Sequence, residues 1–276
     1  MLNSLSSAVS GLDSFQQDLD VIGNNVANIN TTGFKAGVVN FADSFSNTLQ
    51  AATVDTSQIG TGVSIQAITS NWTQGAVTAT GIKTDLAISG NGFFVVQDPV
   101  NSAQYVTQDG TFSVNANGYL VTAGGKQVMG TNNGSSTLSP IQINATGAPS
   151  TAAAGATVSS FTINNQGQIN VTLSDGTTFT RAQVMLQDFQ DPRALVSQSG
   201  NLNSNMANAG PVQSAPAAPG SAGLGQIESG YVEISNVDLS AEMANLITAQ
   251  RGFEANSKIV TTSNEVLQTL VNMKQG

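Results

Sequence analysis

The sequence predicts an α+β fold, with paired N- and C-terminal amphipathic helices, coiled-coil-like in pattern, on either side of a mainly antiparallel β middle domain. Two observations predict this class. Near both termini of the 276-residue chain, apolar residues recur at steps of three and four, which is the spacing of an apolar stripe on a helix. Between these segments the pattern changes to period two and turn signals interrupt it, as in a sheet of short strands.

The N-terminal helix is predicted over residues 2–28, a length of about 40 Å at 1.5 Å per residue. A cluster of Asn and Thr residues follows the stripe and ends at Gly33, which is expected to supply a positive φ that turns the chain out of the helix. The stripe residues expected to form an interface are Leu5, Val9, Leu12, Leu19, Ile22 and Val26.

The C-terminal helix is predicted over residues 239–273, where an apolar residue stands at every seventh position. Ser235 and Asp238 have the S-x-x-D spacing of a capping box at its start. The apolar seam consists of Leu239, Leu246, Phe253, Val260 and Leu267. A companion row that is polar in its middle is expected four residues after each seam position, at Met243, Gln250, Ser257, Asn264 and Val271.

The two helices have similar stripes, and most helical stability in proteins comes from packing an apolar face. Each helix is therefore a natural partner for the other. The alternative is that both helices cover the β domain. Stripes of 40 Å and more are too long for a small β domain, and this favours pairing.

The middle of the chain is predicted to form a β domain at residues 81–230, which contains loop-rich inserts at 131–158 and 207–225. Within it, Gly90-Asn91-Gly92 is expected to form a hairpin turn between two short strands, since no helix start and no Lys follow to make a phosphate loop. The remaining segments are an N-terminal helix and turn at 1–35, an extended connector at 36–80 and the C-terminal heptad helix at 231–276.

The composition excludes several classes of function. The chain has 8 basic and 17 acidic residues, and its formal charge of −9 repels nucleic acid. It contains no Cys and no His, so thiolate and imidazole chemistry is absent and no metal or other cofactor is expected. Carboxylate chemistry remains open at Asp109, Asp175, Asp188 and Asp191, although turn formation explains three of these four positions.

No segment approaches the roughly 20 apolar residues of a membrane span. A secretory signal is not expected either, because the first basic residue is Lys35 and no unbroken apolar run follows Met1. Export, if it occurs, is expected without cleavage of a leader.

Both ends of the chain carry motifs that resemble those of the flagellar hook and basal-body rod family. The sequence VIGNNVANINTTGFK at 21–35 resembles the family's N-terminal signature, and SNVDLS at 235–240 resembles its C-terminal signature. DLAISGNGFF at 85–94 and DGTF at 109–112 are similar to its first β strands, and NNQGQI at 164–169 and FQDP at 189–192 to later stretches. The resemblance implies that the signature residues are Asn24, Asn25, Asn28, Thr32, Gly33, Phe34, Ser235, Asn236 and Val237.

The Asn residues of the N-terminal signature are interpreted as structural. Asn tolerates the left-handed backbone conformation and caps chain ends, and this reading is favoured over a ligand cluster formed by Asn24, Asn25, Asn28 and Asn30.

The subtype within the family is predicted from two segments. FADSF at 41–45 and ITSNWTQG at 68–75 resemble the hook protein more than the rod, so a short hook-type protein is expected. Hook proteins of this family usually carry a larger outer domain inserted in the β region, whereas in this chain only the loop-like residues 131–158 stand at that position. The distal rod protein is therefore the alternative.

The resemblance implies a structural, non-enzymatic subunit in the hook or basal body of the bacterial flagellum. Its expected partners are copies of itself in a helical polymer, other flagellar axial proteins and the flagellar export apparatus. The stripes of both helices are expected to become ordered and buried on assembly. Polar residues of the companion row either fix the register of the helices or line a wet lumen. A β-rich adhesin and a carboxylate-based hydrolase are more remote alternatives.

Overall fold

The computed structural model describes residues 2–44, 46–51, 56–132, 137–153 and 155–275, which form two compact units. The helical unit comprises Met1–Ile29, Lys35–Asn71 and Val237–Gly276, and the β unit comprises Asn30–Phe34 and Trp72–Asn236. Helices near the termini and an antiparallel β middle confirm the α+β class. Residues 1, 52–55, 133–136, 154 and 276 of the predicted segments, and Phe45 of the hook-like segment, lie outside the described residues.

The helical unit contains helices α1, Leu2–Ala27, and α2, Leu239–Gln275. The start of α2 differs from the predicted capping box. The carboxylate of Asp238 accepts hydrogen bonds from the backbone N–H groups of Ser240 (2.8 Å) and Ala241 (3.4 Å), so Asp238 is itself the N-cap. Ser235 is buried in the β unit instead. The S-x-x-D spacing identified the helix start but assigned the capping role to the wrong residue.

Two antiparallel strand pairs occupy the segment that the sequence indicated as a connector. Strands β1, Gly37–Asp43, and β4, Val63–Ser70, pair with each other, as do β2, Ser46–Ala51, and β3, Thr56–Gly60. The backbone is extended as expected, and these two pairs lie within the segment, whereas its last strand, Val77–Ala79, pairs with Tyr231–Glu233. A bulge between Asn40 and Phe41 shifts the β1–β4 register.

The β unit consists of sixteen described strands and one 3-10 turn at Pro192–Ala194. The strands are β5 Val77–Ala79, β6 Leu86–Ser89, β7 Phe93–Gln97, β8 Gln104–Thr107, β9 Phe112–Val114, β10 Leu120–Thr122, β11 Gln127–Asn132, β12 Leu138–Pro140, β13 Val158–Ile163, β14 Gln168–Leu173, β15 Thr178–Val184, β16 Leu186–Gln187, β17 Val196–Gln198, β18 Leu202–Ser204, β19 Gln226–Ser229 and β20 Tyr231–Glu233.

Twelve of these strands form one sheet with the main order β13-β14-β15-β11-β7-β8-β18-β17, to which β9, β10, β12 and β16 attach. Strands β6 and β19 form a separate pair, and so do β5 and β20. Each pairing among the described strands is antiparallel. The core follows the predicted period of two in β14, where Ile169, Val171 and Leu173 are buried and alternate with half-buried polar residues.

The hairpin predicted at Gly90-Asn91-Gly92 does not form. Both strands exist, but β6 pairs with β19 and β7 pairs with β8, β11 and β16. The backbone N–H of Gly225 donates to the carbonyl of Asn91 (2.7 Å), which brings β19 alongside β6. Turn chemistry is local, whereas the partner of β6 comes from about 140 residues further along the chain.

Candidate assembly site at the terminal helices

The two helices of the helical unit lie antiparallel in a register set by three close approaches. Asn25 faces Glu242, a Cβ at Gly252 would lie 2.6 Å from the ring of Phe15, and a Cβ at Gly11 would lie 2.7 Å from the amide of Asn256. The residue numbers of each facing pair add to 267. Glycine allows the helices to approach closely at two of these levels.

Four of the five predicted seam residues of α2 are half-buried within the chain, and the residues beside them differ from the predicted companion row. Leu246, Phe253, Val260 and Leu267 are half-buried, as an interface row requires. The residues that face α1 beside them come three positions later, not four, at Ala249, Asn256 and Ser263. Of the predicted companions, Met243, Gln250, Asn264 and Val271 are exposed and Ser257 is half-buried.

The physical reason for this difference is the position of the partner helix. Either flank of a seam can complete a heptad, and the partner decides which flank does. Here α1 lies against the flank that carries Ala249 and Asn256, and Gly11 of α1 leaves room for the Asn256 amide. Sequence reasoning that searched for apolar side chains therefore missed this row.

The stripe of α1 also divides between the interior and the surface. Ile22 is buried and Leu5, Leu12, Leu19 and Val26 are half-buried, whereas Val9 is 51% exposed; on α2, the first seam residue, Leu239, is 44% exposed. Several buried α1 residues are small or polar and were not in the predicted stripe. They are Ala8, Gly11, Ser14 and Asn25.

Asn25 joins three segments of the helical unit. Its amide nitrogen donates to the carbonyl of Gly37 (2.9 Å) and to a carboxylate oxygen of Glu242 (3.1 Å), and its amide oxygen accepts from the N–H of Gly37 (2.8 Å). The side chain is 1% exposed. Asn25 thus links α1 to β1 and to α2, and it has neither of the two roles predicted for the signature Asn residues.

The other Asn residues of the signature are not in the left-handed conformation either. Among the described residues, the non-glycine positions with positive φ are Ser102, Asn201, Asn205 and Ala222, so the predicted left-handed role is wrong for the signature. Asn28 instead donates from its side chain to the carbonyl (2.9 Å) and the side-chain oxygen (3.0 Å) of Asn24, just beyond the end of α1.

The rest of the N-terminal signature belongs to the β unit. Gly33 has the expected positive φ, +67°, although it lies six residues after α1 ends; its N–H donates to the carbonyl of Glu233 (2.9 Å). Thr32 donates to the carboxylate of Asp109 (2.9 Å). A Cβ at Gly33 would lie 2.6 Å from the backbone nitrogen of Asp109, so only glycine fits there. Phe34 is half-buried.

The C-terminal signature holds the chain between β20 and α2. Asn236 donates to both the carbonyl and the hydroxyl of Thr73 (3.0 Å each), and Ser235 and Val237 are buried. Signature residues in both units therefore hold neighbouring segments in place.

Three family descriptions match different parts of this chain. They are "Flagella basal body rod protein" at residues 5–35, "Flagellar hook protein FlgE/F/G D1 domain" at 87–171 and "Flagellar basal body rod FlgEFG protein C-terminal" at 228–273. The flagellar basal-body rod protein FlgG of Bacillus subtilis is 39% identical over 283 residues and covers 100% of both chains. The chain belongs to the flagellar basal-body rod and hook protein family.

Family relatives favour the rod over the hook. The FlgG rod protein of Borreliella burgdorferi is 32% identical over 285 residues, with 100% of both chains covered. The FlgE hook protein of Treponema pallidum is 46% identical over 139 residues, but these are 47% of this chain and 30% of the hook protein. Relatives matched over their full length are thus named as rod proteins. The hook-type reading is therefore less well supported than its rod alternative.

A solved hook protein, FlgE2 of Helicobacter pylori, aligns at 14% identity over 47% of this chain and 38% of its own, with a TM-score of 0.23, which is too low to bear on the fold.

The carboxylates that could have suggested catalysis lie in turns of this family member. Asp109 accepts from the N–H and hydroxyl of Thr111, Asp175 accepts from the N–H groups of Ala153 and Thr177, and Asp191 caps the 3-10 turn. Asp188 lines a cavity of about 300 Å³ beside Trp72. Within the described ranges, no group of three or more acidic side chains could hold a metal ion, and no helix is long and apolar enough to cross a membrane.

One acidic residue of the helical unit lies in an apolar setting. Asp18 is half-buried in a groove of about 320 Å³ formed by α1, β1 and α2, beside Phe15, Phe41 and Val21. Burial raises the pKa of the Asp18 carboxyl above its ordinary value, because the charged form loses hydration. The same groove contains Glu242, whose carboxylate accepts the amide of Asn25.

Proposed function

We propose that this chain is a structural subunit of the distal flagellar rod, and that its paired terminal helices drive its polymerisation into a tube. The observation that supports this most is the apolar surface of the helix pair that the chain itself leaves uncovered. Eight large apolar side chains of α2 are exposed: Leu239, Met243, Ile247, Ile259, Val266, Leu270, Val271 and Met273.

A surface of this kind is unusual for a helix that is solvated in its final state. Single exposed apolar residues are normal, but large contiguous apolar patches on soluble proteins mark interaction sites. Neighbouring copies would bury these side chains, together with Val9 on α1. A repeated contact between different surfaces that does not close on itself generates a helical filament. Function would then belong to the polymer, without an enzymatic site.

The further partners in this proposal are other flagellar axial proteins and the flagellar export apparatus. The chain would leave the cytosol by that apparatus without loss of a leader. Protein recovered from assembled flagella should retain the α1 segment, which N-terminal sequencing or mass spectrometry of the isolated subunit would establish. A mature N-terminus beyond about residue 30 would contradict the export proposal while leaving the family unchanged.

The assembly proposal is tested by placing charges on the seam. Leu246→Asp combined with Phe253→Asp inserts two carboxylates into the half-buried row of α2. Burying an unpaired carboxylate costs several kcal/mol, so the doubly substituted chain should not polymerise. Polymer formation is measured by sedimentation and by electron microscopy of the pellet.

The matched control shifts the same two charges by four residues. Gln250→Asp combined with Ser257→Asp adds two carboxylates to the same helix, at an exposed and a half-buried position outside the pairing rows. This control should retain the helix pair, as followed by circular dichroism. If the seam double variant assembles as the parent does, the terminal helices do not drive polymerisation.

A further inference from the structure

The C-terminal end of α2 extends beyond α1. The register in which Asn25, Phe15 and Gly11 face Glu242, Gly252 and Asn256 places Leu2, the first residue of α1, level with residue 265. Residues 266–275 of α2 therefore have no α1 residue opposite them, over a length of about 15 Å. This segment is called the α2 extension below.

The α2 extension has the composition of a docking helix. Its first eight residues, VLQTLVNM at 266–273, contain no charged side chain. Val266, Leu270 and Met273 stand at i, i+4 and i+7, the spacing by which an apolar helix face enters a groove. All three are exposed, Met273 by 74%, and Val271 beside them is 55% exposed.

A groove with matching chemistry lies in the same helical unit. It is the cavity of about 320 Å³ between α1, β1 and α2 that contains Phe15, Val21, Val38 and Phe41. The rings of Phe15 and Phe41 lie 6.0 Å apart, and Val38 and Phe41 on the rim are exposed. The groove thus presents exposed apolar side chains beside the carboxyl groups of Asp18 and Glu242, and the extension residues 266–273 bring no charge next to them.

The α2 extension cannot reach the groove of its own chain. On α2 the groove is lined by Glu242, Asn245, Thr248 and Ala249, whereas the extension begins at residue 266 of the same continuous helix. Ala249 and Leu270 are 21 residues apart, which corresponds to about 30 Å along the axis. The groove and the extension therefore lie at opposite ends of one rigid element.

We propose that the α2 extension of one copy docks into this groove of a second copy, head to tail. The inference rests on the proposed function and deepens it, because it names the two surfaces that meet. A second copy is the fitting occupant because the extension continues the heptad of the established helix pair through Leu267 and Leu270. The groove and the extension are different surfaces at opposite ends of the helix pair. When two copies dock, one groove and one extension remain free, so further copies can add by the same contact.

Disulfide trapping tests this contact, since the natural chain contains no Cys. Full-length Met273→Cys and Val38→Cys chains, distinguished by mass, are mixed and oxidised mildly, and disulfides are identified by non-reducing gel and mass spectrometry. The mixed 273–38 dimer should exceed either homodimer at least several-fold. Val100→Cys, at a position that is 91% exposed in the β unit, measures random collision and should give only background with either partner.

Other results overturn the proposal. A dominant Met273→Cys homodimer would mean that extensions pair with each other, and mixed dimers no more abundant than with Val100→Cys would mean that the extension docks elsewhere. Disulfides are measured in both the soluble and the pelleted fraction, so the contact can be detected whether or not tubes form. If the parent chain forms no polymer but the mixed dimer appears, the contact stands while the proposed polymer function fails.

A substitution provides a second measurement. Leu270→Asp lies on the exposed face of the extension, so the unfolding transition should remain within a few degrees of the parent. The yield of the mixed disulfide from a chain that carries both Leu270→Asp and Met273→Cys should fall at least tenfold. An unchanged yield would contradict the docking.

Discussion

At the scale of single residues, the buried side chain of Asn25 makes three hydrogen bonds, and its removal should lower the stability of the helical unit. Asn25→Ala leaves Gly37 N–H and the Glu242 carboxylate without this partner, so the helical unit should lose about 2–3 kcal/mol of stability. Asn25→Asp should cost more at neutral pH, because a carboxylate cannot donate to Gly37 and repels Glu242. Urea unfolding followed by circular dichroism at 222 nm measures both.

The adjacent residue is the control for this prediction. Asn24 is exposed and only accepts from Asn28, so Asn24→Ala should stay within about 0.5 kcal/mol of the parent. Equal losses at both positions would show that the signature acts through helix propensity and not through the Asn25 links.

Two helical glycines should respond to the same substitution with opposite signs. A Cβ at Gly252 would lie 2.6 Å from the Phe15 ring, so Gly252→Ala should destabilise the helix pair by about 1–2 kcal/mol. Gly23 is exposed with nothing within 4 Å of an added Cβ, so Gly23→Ala should stabilise by about 0.5–1 kcal/mol. Thermal unfolding of the two variants checks this. Stabilisation at both sites would argue that α1 and α2 do not pack closely at Gly252.

Asp18 links the stability of the helical unit to pH. Burial raises the pKa of Asp18 in the folded state above its unfolded value of about 3.9. The stabilisation from protonated Asp18 is therefore complete below the unfolded pKa, and it is lost as pH rises through the folded pKa. Asp18→Asn should therefore stabilise the unit at pH 7 and flatten its response to acid. Asp13→Asn, an exposed change on the same helix, is the control for removing one acidic residue from α1.

The β unit should respond to acid in the opposite direction. Hydrogen bonds from Lys126 and from Val100 N–H lower the pKa of Asp98, and bonds from the Ala153 and Thr177 N–H groups lower the pKa of Asp175. Their stabilisation is present above the unfolded pKa and is lost as pH falls. As pH falls below the unfolded value of 3.8, the unfolding transition followed by the fluorescence of Trp72, the single Trp, should weaken, whereas the Asp18 contribution at 222 nm should already strengthen at higher pH, as that carboxyl passes through its raised pKa. Parallel shifts would contradict this assignment.

At the scale of elements, the sequence predicted what depends on local periodicity and missed what depends on partners. Both helices end within two residues of the predicted bounds, since their stripes are intrinsic to the chain. The companion row could not be chosen, because the position of α1 selects Ala249 over Gln250. Likewise the signals at 85–96 located β6 and β7, but no local pattern indicated that β19 would pair with β6.

Of the candidate assembly residues, those predictable from sequence were the large apolar ones. Gly11, Ser14 and Asn25 are buried in the helix pair although none is apolar enough to mark a stripe. Close packing at glycine and a buried amide are properties of the folded pair. The motif around Asn25 did indicate the family, but only the structure gives the physical role of that side chain.

At the scale of the whole molecule, the rod assignment predicts a location. Immunogold labelling of isolated basal bodies with antibody against this chain should decorate the straight rod, because the relatives matched over their full length are rod proteins. Antibody that has been absorbed with the purified chain serves as the control. Label on the curved hook outside the outer membrane would restore the hook-type reading based on residues 41–45 and 68–75.

The helix pair also imposes an order of events. Its two members are separated by the more than 200 residues between Ala27 and Leu239, so no fragment that lacks either helix can complete the pair. In the proposed export, the chain delivers one helix before the other, so the first helix stays unpaired until the intervening residues have passed. A subunit whose export stops part-way would lack one helix, and with it the surface that the proposed polymer requires. Under these two proposals, only a completely exported subunit can join the polymer.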